Sequence, residues 1–241
     1  MSEQPPLPQQ IPLPIQLRTS SVFASYYTGE NKEVCSVLQN LRSLASTPLV
    51  FIQGVSGVGK THLLQAACVR TSSQGDHAGY FPLQQLQEYG PVILHGTEQM
   101  NLVCLDDVGS VLHQKEWCNA LFNLYRHFEE SGGKLVLADQ LSPSTLTVSL
   151  PDLASRILGG TVMRLHPLQE NSQFEALQLQ ARSRGLVLSE EVLTYMMRRL
   201  PRDMHTLCSF LDRLDLASLA SQRKLTVPFV KSMLLQAGYD S

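Results

Sequence analysis

The chain has 241 residues, 43% of them apolar, with a formal net charge of −2. That length accommodates one large domain or two small ones around a sizeable core, and the near-neutral charge gives no global electrostatic footprint for nucleic acid, so any DNA contact has to be local or borrowed. No apolar run reaches the length of a membrane span, and the N-terminus is Pro/Gln-rich rather than basic and then apolar, which argues against membrane insertion and secretion alike. Five cysteines, at 35, 68, 104, 118 and 208, lie scattered and without C-x-x-C spacing. That usage suits reduced thiols in a cytoplasmic protein better than a disulfide frame or a zinc site.

Residues 1–20 read as a flexible tail with no core-forming pattern. After it, residues 22–32 lead into an amphipathic helix over about 33–44. A buried strand follows at 49–52, then a helix-period segment from 63. Short apolar runs predict further strands at 78–83, 102–105, 135–138 and 161–165, with a long helix over about 114–130 between the third and fourth. Strands alternating with helices imply a parallel sheet covered on both faces, with ligand chemistry at the carboxyl ends of the strands. From about residue 170 the pattern turns helical, with segments at 172–184, 190–200, 202–221 and 228–236 and no strand between them. Ser189 before Glu190 and Glu191 is a helix start, and Gly185 ends the preceding helix. The expected organisation is a tail (1–20), an α/β domain (21–168) and an all-helical second domain (169–241).

The most specific chemistry lies at residues 54–61, Gly-Val-Ser-Gly-Val-Gly-Lys-Thr, a complete phosphate-binding loop of the form G-x-x-x-x-G-K-[ST] placed between a strand and a helix. Gly54, Gly57 and Gly59 let the backbone curl its N–H groups around phosphate oxygens, with Val58 among them, and the helix that follows points the positive end of its dipole there. Lys60 reaches the outer phosphates, Thr61 holds Mg²⁺, and His62 follows in the first turn. The loop grips the phosphates that ATP and ADP share, so either is a candidate ligand. Asp106 and Asp107 close the 102–105 strand, where an acidic pair holds Mg²⁺ (Asp106) and orients an attacking water (Asp107). Asp139 ends the next strand and is a candidate for positioning water or sensing the outer phosphate; an ordinary turn is the bland alternative.

These motifs, in this order, resemble the AAA+ ATPases and within them the DnaA-like replication initiators. The resemblance runs from about Val22 onward. It makes the segment Phe23 to Asn31 a wall for base and ribose, residues 54–61 Walker A, residues 102–107 Walker B, and Asp139 sensor 1. It makes Arg156, in Leu153-Ala154-Ser155-Arg156, an arginine-finger candidate, and Arg202, before a helix of the second domain, sensor 2, touching the nucleotide from the lid. No basic recognition helix follows the last helical segment, so the initiators' reading of double-stranded DNA is not expected here. The tail instead carries Gln10, Ile11, Pro12, Leu13, Pro14 and Ile15, similar to peptides that dock in the pocket of the bacterial DNA polymerase III sliding clamp: Gln10 at the rim, Leu13 and Ile15 as anchors, with Ile11 and Pro14 also partner-binding. Taken together, the resemblance implies a cytoplasmic regulator, nucleoid-associated through the clamp. It would bind ADP or ATP, reach DNA mainly through the clamp, and present Arg156 to the ATP of a DnaA initiator subunit, stimulating hydrolysis and preventing re-initiation of replication. A helicase-loader-like AAA+ ATPase is the alternative, and assembly into a homo-oligomer stays open.

Overall fold

The computed structural model describes residues 21–44, 47–221 and 225–239; the tail motif at residues 10–15 lies outside them. Five strands, β1 (Leu49–Gln53), β2 (Ala78–Pro82), β3 (Leu102–Asp106), β4 (Lys134–Asp139) and β5 (Thr161–Arg164), form one sheet. Their order is β2-β3-β4-β1-β5, and every adjacent pair is parallel. The helices are α1 (Lys32–Gln39), α2 (Lys60–Ser73), α3 (Leu83–Leu86), α4 (Lys115–Ser131), α5 (Pro151–Gly159), α6 (Glu170–Ser183), α7 (Glu190–Arg199), α8 (Met204–Ser221) and α9 (Val227–Gln236).

The continuous apolar strands follow from burial on both faces. Successive side chains of a strand point to opposite sides, so Leu49 and Phe51 join Val103, Leu105, Leu135 and Leu137 on the face covered by α4 and α5. Val50 and Ile52 join Cys104, Val136 and Ala138 on the face covered by α1 and α2. Helices α6 to α9 enclose a third core built on Leu177, Met196, Leu207, Phe210, Leu214 and Leu234. Ser189 caps α7 by accepting the Val192 N–H at 3.3 Å, and the Leu186 N–H returns to the Ala181 carbonyl at 3.0 Å, closing α6 just where Gly185 was expected to stop it.

Two stretches differ from the expected elements. The first helix ends at Gln39 rather than near Leu44, because the Asn40 side chain turns back to the Ser36 carbonyl at 2.8 Å and a 3-10 turn takes over at Leu41–Ser43. Residues 151–159, read only as an arginine-bearing box, form α5, opened by Pro151, whose fixed φ suits a first helical position.

Candidate nucleotide-binding site

Strand β1 lies in the interior of the sheet, between β4 and β5, and its carboxyl end opens into the 54–59 loop and then α2. Gly57 and Gly59 take φ of +76° and +100°, conformations that let successive N–H groups face one concavity. A Cβ on Gly59 would lie 2.6 Å from Cε2 of Tyr26, so the loop is closed by that ring as well as by its own backbone. Tyr26 donates from its hydroxyl to the Val58 carbonyl at 3.2 Å. Lys60, only 7% exposed, donates to the carbonyls of Gly54 (2.7 Å) and Val55 (3.2 Å), which holds its ammonium inside the curve of the loop. Gly54 sits behind the cleft wall, its N–H bound to the Asp139 carbonyl.

Across from the loop, Asp106 ends β3 and is almost fully buried. Its Oδ2 accepts from the Thr61 hydroxyl at 2.6 Å and from the Tyr80 hydroxyl at 3.0 Å, and its Oδ1 from the Asp107 N–H at 3.2 Å. Burial, and then the charge on Asp106, push the Tyr80 hydroxyl well above its usual range, so it stays a donor to that carboxylate. Asp107 is left-handed, with φ 53° and ψ 48°, and is the one non-glycine residue with positive φ among those described. Such a backbone costs about 1–3 kcal/mol and clusters at functional sites. It turns the Asp107 carboxyl toward the cleft, where burial and Asp106 raise its pKa, Lys60 lowers it and Asp139 raises it, with a net upward shift.

A carboxyl whose folded pKa lies above its unfolded value stabilises the fold fully only below the unfolded pKa, and that contribution is lost as pH rises through the folded value. The nucleotide-free chain is therefore expected to lose stability from this group as pH climbs out of the ordinary carboxylate range. Asp107→Asn, an exchange the left-handed backbone tolerates, is expected to raise its melting temperature at pH 7 and to change it little at pH 4. Thermal unfolding at a series of pH values checks this; a larger gain at pH 4 than at pH 7 would contradict it.

The cleft holds about 730 Å³, enough for a nucleotide, and its walls come from several parts of the chain, the ends of β2 and β3 among them. The loop and α2 supply residues 56–62 and Gln65. The N-terminal segment supplies Tyr26 and Tyr27, and the helical part supplies Gln180, Arg184, Arg202 and His205. Arg202, exposed before α8, therefore does face the cleft, and its carbonyl accepts from the Gln173 side chain at 3.0 Å. His62 faces the cleft edge but spends its Nε2 on the N-terminal segment, 3.0 Å from the Val22 carbonyl and 3.3 Å from Ser25 Oγ.

Asp139, the candidate for positioning water or sensing the outer phosphate, turns its carboxylate to the backbone. It is not among the cleft residues, and both carboxylate oxygens accept backbone N–H groups: Oδ2 from Gly109 at 2.7 Å and Oδ1 from Leu141 at 3.0 Å. A Cβ on Gly109 would come within 2.8 Å of that Oδ2, so the carboxylate is packed as a brace between the ends of β3 and β4, while Gln140 next to it reaches the cleft. The turn-forming alternative describes its geometry.

Arg156 lies elsewhere. It projects from α5 on the far side of the sheet and is half-exposed, its guanidinium 5.5 Å from the centre of the Tyr125 ring and its Nη1 3.5 Å from Glu129 Oε1. Tyr125 donates to the same Glu129 oxygen at 3.0 Å. Arg156 is thus no part of the chain's own cleft. The residues that the sequence reading missed are Tyr80, Gln180 and Arg184. Tyr80 meets Asp106 only through the β2–β3 register, which pairs Pro82 with Asp106. Gln180 and Arg184 carried the signal of an i, i+4 polar pair on a helix, which is common on solvated faces.

The Thr61–Asp106 pair puts two hard oxygen donors on the cleft wall, a set that suits Mg²⁺ completed by phosphate and water oxygens, while no group of three or more His, Cys, Asp or Glu among the described residues forms a site held by protein alone. No described helix is long and apolar enough to cross a membrane.

A family model described as "Hda, lid domain" matches residues 170–234, which span α6 to α8 and most of α9. Over 92% of the chain the fold is similar to domain III of the Thermotoga maritima replication initiation protein DnaA, at 18% identity and a TM-score of 0.75, covering 98% of that structure. AMPPCP-bound DnaA from Aquifex aeolicus is similar at 22% identity and a TM-score of 0.62, over 83% of this chain and 64% of that one. The Thermotoga maritima RuvB Holliday junction branch migration motor is similar at 14% identity and a TM-score of 0.56, over 89% of this chain and 71% of that one. At such identities the solved structures speak for the fold alone, and the family match speaks for residues 170–234. Residues 170–234 thus match the Hda lid domain, and the sheet with its helical lid has a fold similar to that of DnaA domain III.

Proposed function

We propose that this chain is a nucleotide-binding regulator of replication initiation that presents Arg156 in trans to the ATP of a DnaA subunit, stimulates its hydrolysis, and is held near DNA by docking residues 10–15 on the sliding clamp. The observation that carries the reading is the position of Arg156: half-exposed on α5, outside the chain's own cleft, held among the described residues by Tyr125 and Glu129 at a solvent-facing surface, and so available to another molecule's phosphates. A guanidinium offered there stabilises charge developing on a transferred phosphoryl group.

The chain's own cleft would hold ADP or ATP. The 54–61 loop and the start of α2 bind the phosphates, Lys60 neutralises them, Tyr26 and Tyr27 flank the ligand from the N-terminal segment, and Arg202 meets it from the lid. Thr61 and Asp106 would hold Mg²⁺, which supplies charge neutralisation across the phosphates when bound. Asp107 faces the cleft with a raised pKa and is the candidate for orienting water. That placement favours a second reading, a helicase-loader-like ATPase whose own turnover does the work.

ATP hydrolysis by purified DnaA, measured with clamp loaded on DNA, separates the two. The unmutated chain is expected to raise the rate. A variant with Gln10, Leu13 and Ile15 changed to Ala is expected to lose most of the stimulation when clamp and chain are dilute, and to regain it as the chain's concentration rises, because tethering acts as effective concentration. Stimulation that ignores the clamp altogether would remove the tail from the account. A chain that hydrolyses ATP alone and leaves DnaA unaffected would favour the loader reading.

A further inference from the structure

The N-terminal segment closes over the phosphate loop, and a polar chain runs from it into the helical lid. Tyr26 reaches the loop at the Val58 carbonyl. One residue back, the Ser25 carbonyl accepts from Gln180 Nε2 on α6 at 2.7 Å. Gln180 Oε1 in turn accepts from Arg184 Nη1 at 2.6 Å, the same nitrogen donating to the Gln180 carbonyl at 2.8 Å. Arg184 Nε donates to Asp212 Oδ1 on α8 at 2.8 Å. Gln180 is 7% exposed and the Arg184 side chain 5%, so water competes little for these bonds.

The chemistry dictates which residue fits between them. Arginine only donates and a backbone carbonyl only accepts, so the side chain bridging them must accept at one end and donate at the other, as an amide does. A carboxylate would satisfy Arg184 and set an acceptor against the Ser25 carbonyl. An apolar side chain would remove the amide donor to the Ser25 carbonyl and one of the acceptors of Arg184 in a buried place, at a desolvation cost. Because Gln180, Arg184 and Tyr26 all line the cleft, the link forms part of the wall around the space a nucleotide would fill.

We infer that Gln180 is a positioning residue through which the lid grips the N-terminal wall of the cleft, keeping Tyr26 closed over the bound phosphates and tying the angle of α6 and α8 to whether the cleft is filled. The inference rests on the nucleotide reading above for its ligand, while the grip itself is a property of the chain.

The test is Gln180→Glu, which keeps the acceptor for Arg184 and removes the donor for Ser25, alongside Gln180→Met, which keeps the volume and removes both. Two readouts are taken on the full chain: ADP binding and dissociation with Mg²⁺, and hydrogen exchange at residues 21–31 compared with residues 170–236. Gln180→Glu is expected to weaken ADP binding by about tenfold, mostly through faster dissociation, the scale of one buried hydrogen bond lost and an acceptor left facing an acceptor. It is also expected to lower protection at 21–31 and leave the lid protected; Gln180→Met should loosen both regions. A chain with Gln180→Glu that binds ADP as tightly as the unmutated one and keeps its protection at 21–31 overturns the inference and leaves the nucleotide reading standing. If the unmutated chain binds no ADP, the nucleotide reading fails, and exchange at 21–31 in the two nucleotide-free chains still decides the grip: lower protection with Gln180→Glu supports it, and equal protection overturns it.

Discussion

Arg156→Ala is expected to remove stimulation of the partner's ATP hydrolysis almost completely while leaving the chain folded and its own nucleotide bound. Fingers supplied in trans are worth about 10³ to 10⁵ in rate where a phosphoryl group is transferred, so loss of at least a hundredfold is the outcome that identifies Arg156 as one. The geometry makes the experiment clean. Arg156 makes one long ion pair with Glu129 and lies over one ring, both at a half-exposed surface, where such contacts are each worth about 1 kcal/mol or less. Glu129→Gln therefore serves as the control: it removes the charge beside the guanidinium, and its effect on the stimulated rate is expected to stay within about fivefold. Arg156→Lys should recover little, because an ammonium cannot reproduce the planar two-point contact a guanidinium makes with phosphate oxygens. Equal stimulation by Arg156→Ala and the unmutated chain would reduce the protein to an adaptor whose arginine is a surface residue.

Gly59→Ala is expected to abolish nucleotide binding, weakening it by at least a hundredfold. Two costs act together. The backbone there has φ of +100°, a conformation in which a Cβ is strained wherever it points. The added carbon would also lie 2.6 Å from the Tyr26 ring, whose hydroxyl is pinned to Val58 and whose neighbour Asn31 donates to that hydroxyl at 3.2 Å while also bonding both the N–H and the carbonyl of His166. A ring so anchored cannot step aside without opening the wall of the cleft. Calorimetric titration with ADP and thermal unfolding of the nucleotide-free chain check the two halves of the claim. The variant is expected to melt lower even without ligand, and retention of affinity within tenfold would show that Tyr26 moves freely.

Much of the fold is visible in the chain itself. Runs such as Leu49 to Ile52 and Leu102 to Leu105 are apolar at every position because helices cover both faces of the sheet, and such runs mark interior parallel strands. Helix α5 was harder: nine residues opened by proline, with only Leu153 and Ile157 buried, give too short a periodic signal to stand out from a loop. The same contrast governs the site. Gly57, Gly59, Lys60 and Thr61 lie close together in sequence, and the two glycines set the backbone conformation that places the side chains after them, which sequence encodes directly. Tyr80, Gln180 and Arg184 reach the cleft from segments far apart along the chain, and no local pattern distinguishes them from ordinary strand and helix residues.

Asp139 marks the boundary. Its place at the end of a strand that pairs with β1 is written in the sequence, since an apolar run ending in an acidic residue puts that residue at the sheet's carboxyl edge. Which way the carboxylate turns was decided by Gly109, whose missing side chain lets Asp139 approach and bond its N–H. The sequence by itself determined the parallel sheet, the phosphate loop and the helical lid, because each depends on local periodicity or on glycines at fixed offsets. Only the tertiary structure decided that Arg202 faces the chain's own cleft while Arg156 faces away, and that Gln180 joins lid to wall, because direction and partnership across distant segments arise from strand register and helix packing.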